Sequence, residues 1–383
     1  MSSNIPTRVF FFGAGASKSC GLPMATELYD VLVNPKNHHV GFARSKVKGI
    51  EERFNKKRAE SLSIIALLSN AEDSGLNRIE STFNILSSII SGNSEDSRVT
   101  KSDADKYFKA LCFCFDIILH PVYNTRANSL PYSEFSYNVI NLPGWSMMIS
   151  TNWDYLLDVH LDTAAGQNLF VDWGIGSPNT QLWKAHIGLM AQYSWEEHKR
   201  PYISLYKPNG SLGWCHCPCN NMVYARHFYK PYNLDQIKHL NEMKRLDDLM
   251  NGVPRESLGH PFGCPECGTP LAADFLHVPG VVRTNHPLNE VMFINLKKAA
   301  LTCDEITFIG YSCPEEDKDL INYISEALKE NDAHNQRTIV PNIVDIKGSH
   351  NARLIDTYET ALGRKVTLNT SGFTSWMHDY FQN

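Results

Sequence analysis

The sequence lacks any apolar run approaching the ~20 residues that a membrane-spanning helix needs, so no helical anchor is expected. It also lacks an excess of positive charge. Lys and Arg number 36 against 41 Asp and Glu, a net charge of −5. Direct, tight nucleic-acid binding over the surface is therefore not expected, a local basic patch aside. A secretory leader is not expected either, because RVFFF (Arg8 to Phe12) is too short for its apolar region and runs straight into glycines. A cytoplasmic chain is expected. The sequence holds no internal repeat and no low-complexity tract, and its 43% hydrophobic residues are enough to fill sizeable cores. With 383 residues there is room for two or three domains, or one large domain with insertions.

Cysteine is not scarce, but in a cytosolic chain it belongs to thiols or metal ligands rather than disulfides. Of ten cysteines, Cys20, Cys112, Cys114, Cys303 and Cys313 lie in apolar or periodic segments and read as small core residues. The other five form WCHCPC (Cys215, Cys217, Cys219) and FGCPECGTPL (Cys264, Cys267). Cys264-Pro-Glu-Cys267-Gly has the spacing of two tetrahedral thiolate ligands, so a structural zinc is expected. In the first half Cys215 with Cys219 falls within the allowed gap, Cys217 would need a tighter turn, and His216 could replace one of them. A ribbon touching nucleic acid is the other possibility, with Lys230, Lys238, Lys244 and Arg245 nearby. Interspersed acids make a solvated helix face over 234–250 the preferred reading.

Along the chain, periodicity alternates. Arg8 to Phe12, Trp145 to Ser150, Tyr202 to Tyr206, Ile306 to Tyr311 and Ile339 to Ile346 read as strands. Met24 to Val33 and Glu315 to Lys329 read as helices. This alternation argues α/β, a doubly wound parallel Rossmann-like sheet. Residues 1–40, 141–210 and 275–350 are assigned to it. LSIIALL, ESTFNILSSII and DKYFKALCFCFDIIL repeat apolar residues at three- and four-residue steps, giving a helical insertion over 41–140. Residues 211–274 form the zinc-binding module, and 351–383 a C-terminal helical or strand extension.

In an open parallel sheet, ligands bind beyond the carboxyl ends of the strands. FFFGAGASKSCGLP places Gly13, Ala14 and Gly15 at such an end, before a helix, where small residues admit a pyrophosphate to backbone N–H groups. Alone, a glycine turn there is more often just a tight turn. It is followed in order by STNWD (Ser150 to Asp154), NGSLGW (Asn209 to Trp214), the cysteine cluster and FIGYSCPEEDKDL. The ordered set resembles the sirtuin-like family, in particular a bacterial anti-phage branch with GAGAS…GLP…EL in place of the deacylase motif. NRIESTFNIL (Asn77 to Leu86) resembles a helix of that branch.

The resemblance implies an NAD-binding protein that hydrolyses NAD to nicotinamide and ADP-ribose as a defence effector. It implies that Asn152 places ribose and water, that Asp154 fixes the loop, and that Gly13, Ala14, Gly15 and Ser17 hold the pyrophosphate. Gly310, Tyr311, Ser312 and Asp345 fall to the adenosine side. Asn152 and Asp154 could instead simply cap the next helix. Some relatives of this kind work with a HerA-type ATPase or an Argonaute; the apolar helices of the insertion point to a homo-oligomer, though core packing explains them equally.

The family pattern K-L-H-G-S-L-N-W carries a histidine base; this chain reads Lys207-Pro208-Asn209-Gly210-Ser211-Leu212-Gly213-Trp214. Asn cannot accept a proton at neutral pH, though it can orient water. His186, in QLWKAHIGLM, is the alternative base; an ordinary surface or half-buried His is the equal possibility. Losing the base weighs more on deacylation than on breaking the nicotinamide–ribose bond, where positioning and desolvation supply much of the rate. Deacylation and inactive NAD or ADP-ribose sensing remain as competing readings.

Overall fold

The structure is a computed structural model. It describes residues 7–38, 49–119 except 71, 93 and 95, 130–165, 171–172, 202–216 except 213, 219, 223–225, 272–273, and 287–382 except 336 and 347. TRVFFF is short, apolar and ended by glycine, and it forms β1 (Thr7–Phe12) at the middle of the sheet. The elements α1 (Ala14–Ser19), α2 (Leu28–Val33), α3 (Ile50–Leu68), α4 (Gly75–Ser91), α5 (Lys101–Leu119) and α6 (Leu130–Val139) precede β2 (Trp145–Ser150). Then come α7 (Leu156–Ala165), β3 (Val171–Asp172), β4 (Tyr202–Tyr206), β5 (Trp214–His216), β6 (Val223–Ala225) and β7 (Ala272–Ala273). The chain continues through α8 (Pro287–Thr302), β8 (Glu305–Ile309), α9 (Lys318–Asn335), β9 (Asn342–Val344), α10 (Asn351–Leu362), β10 (Thr367–Asn369) and α11 (Gly372–Gln382).

Seven strands form one sheet in the order β10-β9-β8-β1-β2-β4-β3. Every pairing in it is parallel. Because alternate residues of a strand face opposite sides, β1 serves two cores at once. Val9 and Phe11 pack with Leu296 of α8, Ile324 of α9 and Tyr358 of α10. Phe10 and Phe12 pack with Phe135 of α6, Leu161 of α7 and Trp376 of α11. Such two-faced burial is what a near-continuous apolar parallel strand requires. The architecture is mixed α/β with helices on both sheet faces, as the alternating pattern implied. A separate antiparallel sheet has the order β6-β5-β7.

The strands read from sequence sit where expected, but two end short: β8 stops at Ile309 rather than Tyr311, and only Asn342–Val344 of 339–346 is strand. Two boundaries also move. The helical unit consists of α3, α4 and α5, which share a core with Leu28, Val31 and Leu32 of α2. The α6 segment, assigned to the insertion, instead lays Tyr132, Phe135 and Val139 against the sheet. Residues 351–383, set apart as an extension, supply the edge strand β10 and two helices that cover the sheet. Sequence periodicity shows that such elements exist, not which layer they join. Among the described residues no helix is long and apolar enough to cross a membrane.

The order of strands reverses between β1 and β8, and their following turns meet there. The Gly13 N–H donates to Ile309 O at 3.0 Å and the Gly15 N–H to Gly310 O at 2.8 Å. A Cβ on Gly310 would stand 2.2 Å from Ala16 N, and its φ is +57°. One on Gly13 would stand 2.5 Å from Tyr311 Cα. Thus the small residues of the turn are required by the neighbouring turn of the protein itself, whatever ligand the cleft takes. Gly310→Ala should cost about 2–4 kcal/mol, combining left-handed strain with a backbone clash. Gly49→Ala, at φ +80° with nothing within 4 Å, should cost only about 1 kcal/mol. Urea unfolding of both variants measures the difference, and equal losses would remove the clash from the account.

Candidate functional site

The turns after β1, β2, β4, β8 and β9 all open at the same end of the sheet, and a cleft of about 600 Å³ lies among them. That volume is in the range of small-molecule sites. Its walls include Ala14, Gly15, Ser17, Asn152, Asp154, Asn209, Gly310, Tyr311, Ser312 and Asp345. Ile79, Glu80 and Leu119 of the helical unit close one side, and Ile346, His350 and Phe373 line another. Gly13 lies just behind Gly15 at the base of the same turn. Except for His186 and the cysteines, then, every residue nominated from sequence converges on one place.

At the bottom is a polar cluster held by hydrogen bonds. Ser17 Oγ donates to Asp154 Oδ2 at 2.7 Å. Having spent its one proton, it accepts from Asn152 Nδ2 at 3.0 Å and from the Tyr132 hydroxyl at 3.2 Å. The second Asn152 amide hydrogen goes to Gly13 O at 2.9 Å. Both donors of Asn152 are thus committed, which leaves its Oδ1 as the group it can offer a ligand. Asp154 Oδ1 accepts the Leu156 N–H at 3.0 Å, so the helix-start role and the site role coexist in Asp154. The Asn152 side chain bonds to the β1 turn instead.

Trp153, between them, also lines the cleft and packs on the helical unit. Its ring lies 5.5 Å from Phe83 and 6.3 Å from Phe115, pinning the loop to the helical unit. On the far side Asn209 is 2% exposed and donates from Nδ2 to Thr151 O at 3.1 Å. The Leu212 N–H reaches Trp153 O at 2.9 Å. Sequence patterns gave no signal for Tyr132, and Trp153 was only a letter of STNWD, with no role assigned to it.

Burial pushes the Asp154 carboxyl above its ordinary 3.8, while Lys207 and the Ser17 hydroxyl pull it partly back. Burial, with the Asp154 charge second, raises the Tyr132 phenol well above the usual range, so it stays a donor. Burial also pushes the neighbouring Cys20 thiol up to about 12, leaving it inert as a thiolate nucleophile.

Across the cleft, the Tyr311 ring is a core group. It packs tilted against Phe11, ring centroids 4.5 Å apart, and its hydroxyl donates to Asp317 Oδ2 at 2.7 Å. Ser312 is exposed, and Cys313 beside it takes a φ of 54°, uncommon for a residue with a side chain. Asp345 follows β9; its Oδ2 stands 3.3 Å from His350 Nε2, and its Oδ1 accepts the Ile346 N–H at 2.7 Å. Asp317 and His350 belong to the cleft and were not singled out from sequence; Asp317 was only a letter of FIGYSCPEEDKDL, and His350 sits in no motif.

His186, Cys217, Cys264 and Cys267 lie outside the described residues, as does the side chain of Cys215, while Cys219 is exposed. Among the described residues no group of three metal-binding side chains occurs. No protein-family model matches the chain, and no curated protein matches it.

Because the folded-state value of Asp154 lies above its unfolded one, folding takes up a proton. The cost of burying this charge is absent below 3.8 and complete above the folded value. Asp154→Asn removes that cost. Relative to wild type the variant should therefore gain stability as pH rises from 3.8, read by urea unfolding across pH. A stability difference independent of pH would mean that the carboxyl is not held raised.

Proposed function

We propose that the protein is a sirtuin-like NAD hydrolase, releasing nicotinamide and ADP-ribose. One observation carries this reading: the motif residues, far apart in sequence, line one cleft at the point where strand order reverses. Parallel α/β sheets bind nucleotides at that point. The bond from the ribose anomeric carbon to the nicotinamide nitrogen breaks, its electron pair leaves with nicotinamide, and a water oxygen bonds to that carbon. One proton goes to a base or to solvent. Asn152 Oδ1 is available to orient a ribose hydroxyl or that water. The acids Glu80, Asp154, Asp317 and Asp345 in the walls favour the positive charge that grows on the ribose. Lys18, paired with Glu27 at 2.6 Å, is the cation at the rim for the pyrophosphate. The N–H groups of Gly13, Gly15 and Ala16 are already bonded within the protein, so they contribute little to anion binding.

Asn209 favours a second reading, that of a sensor which binds NAD or ADP-ribose without consuming it. It replaces the base and is itself buried and bonded to Thr151. A structural zinc held by Cys264, Cys267 and two of Cys215, Cys217 and Cys219 belongs to the proposal. Its support is that β7, shortly after Cys267, pairs with β5, the strand that carries Cys215. The anti-phage role and a HerA-type ATPase or Argonaute partner rest on the motif resemblance, a homo-oligomer on the apolar helices of the insertion, and a cytoplasmic location on the sequence pattern of the N-terminus.

Purified protein mixed with NAD should release one nicotinamide per NAD lost, measured by chromatography. In folded Asn152→Ala the rate should fall about 100-fold or more. If His186 is the base, His186→Ala abolishes turnover, Asn209→Ala weakens it less, and the pH profile has a limb near ~6.5. NAD that binds and stays intact, alone and with a partner, would favour the sensor.

Elemental analysis should find about one zinc per chain, and Cys264→Ser should destabilise the module. A stable protein without metal would reduce the cluster to thiols.

A further inference from the structure

Lys207 directly follows the strand β4, and its side chain is 0% exposed. It is the single buried Lys or Arg among the described residues. Its ammonium has three donors, and three partners take them. It donates to the main-chain oxygen of Asp154, to Asp158 Oδ2 at 3.0 Å and to Ser211 Oγ at 3.2 Å. These partners belong to three elements: the turn after β2, the helix α7 and the turn after β4. Two carboxylates are buried within this neighbourhood, Asp154 and Asp158, and Asp158 Oδ1 has no hydrogen-bond partner. A buried ammonium without such partners would be costly, and so would the carboxylates without it.

We propose that Lys207 is a positioning residue for the cleft, its ammonium clamping the turn that carries Asn152 to the turn that carries Asn209. It touches no ligand, and its role in turnover rests on the NAD reading above. The clamp has a direction. The bond to Asp154 O fixes the backbone two residues after Asn152, whereas the neutral bonds from Asn209 and Leu212 hold Thr151 and Trp153. Charge-assisted bonds are roughly twice as strong as neutral ones, so the lysine is the stiffest of these ties. Asn152 has both of its donors engaged with the β1 turn. Movement of its loop therefore displaces the Oδ1 available for ribose or water, and a shift near 1 Å is enough to cost about 100-fold in rate.

A merely structural role would be to neutralise Asp158, and two variants separate the roles. Lys207→Met leaves Asp158 buried without its cation and should destabilise the protein. Lys207→Met with Asp158→Asn removes the charges of that pair but leaves Asp154 without the nearby cation, so it should recover part of that stability. It does not restore the tie to Asp154 O. The double variant should melt between Lys207→Met and wild type yet, while still folded, turn over NAD about 100-fold more slowly, with KM nearly unchanged. Its amides at 151–154 should exchange hydrogen faster than wild type, measured without NAD.

Wild-type turnover in the folded double variant, or unchanged exchange at 151–154, would overturn the clamp. If wild type does not consume NAD, the functional reading fails. The exchange experiment then decides the clamp alone: faster exchange in the double variant upholds it, and equal exchange ends it.

Discussion

Everything at this end of the molecule depends on two turns that touch. Gly13 and Gly15 lie against Gly310 and Tyr311, with backbone bonds of 3.0 and 2.8 Å joining them and no space for a Cβ. Since β1 and β8 are adjacent strands from opposite ends of the chain, this contact fixes where the reversal of strand order falls. The cleft is the space left above it. A side chain on any of these glycines would wedge the strands apart or move the β1 turn, to which Asn152 is bonded.

From that floor the site is assembled by pairs of loops, each with an apolar anchor and a polar face. In the turn after β2, Trp153 packs its ring on the helical unit, and Asn152 and Asp154 hold the polar cluster at the cleft floor. After β8, Tyr311 enters the core while Ser312 stays exposed. The polar groups are consequently few, buried and nearly all bonded. Removing one partner of a buried pair such as Lys207 and Asp158 typically costs roughly 3–5 kcal/mol, which makes such a site rigid and also intolerant of change.

Much of the fold was legible because buried parallel strands leave a plain mark. RVFFF, WSMMIS, YISLY and ITFI are apolar, short and ended by turn residues. The helical periods of α4 and α5 were equally clear. Layer membership was not, since Phe135 and Phe83 look alike in a periodic helix while one packs on the sheet and the other on α5. The ordered motifs located most of the cleft, but for a partly different reason than chemistry: the glycines answer to Gly310, and Tyr311 to the core. Lys207 was visible only as a motif letter. Its burial depends on Asp158, four positions beyond Asp154, and such a partnership has no one-dimensional signature.

The sheet order has a further consequence, for synthesis. The central strand β1 ends at Phe12, and β8, which covers one of its edges, begins at Glu305. At roughly 5–20 residues per second, the ribosome leaves that edge unpaired for on the order of 15–60 s. For that interval a nascent chain carries three consecutive phenylalanines, Phe10 to Phe12, on an open strand. This is the kind of surface that recruits chaperones or seeds aggregation. The cleft cannot close before β8 and β9 emerge, so any chemistry it performs is withheld from partly made chains by topology alone.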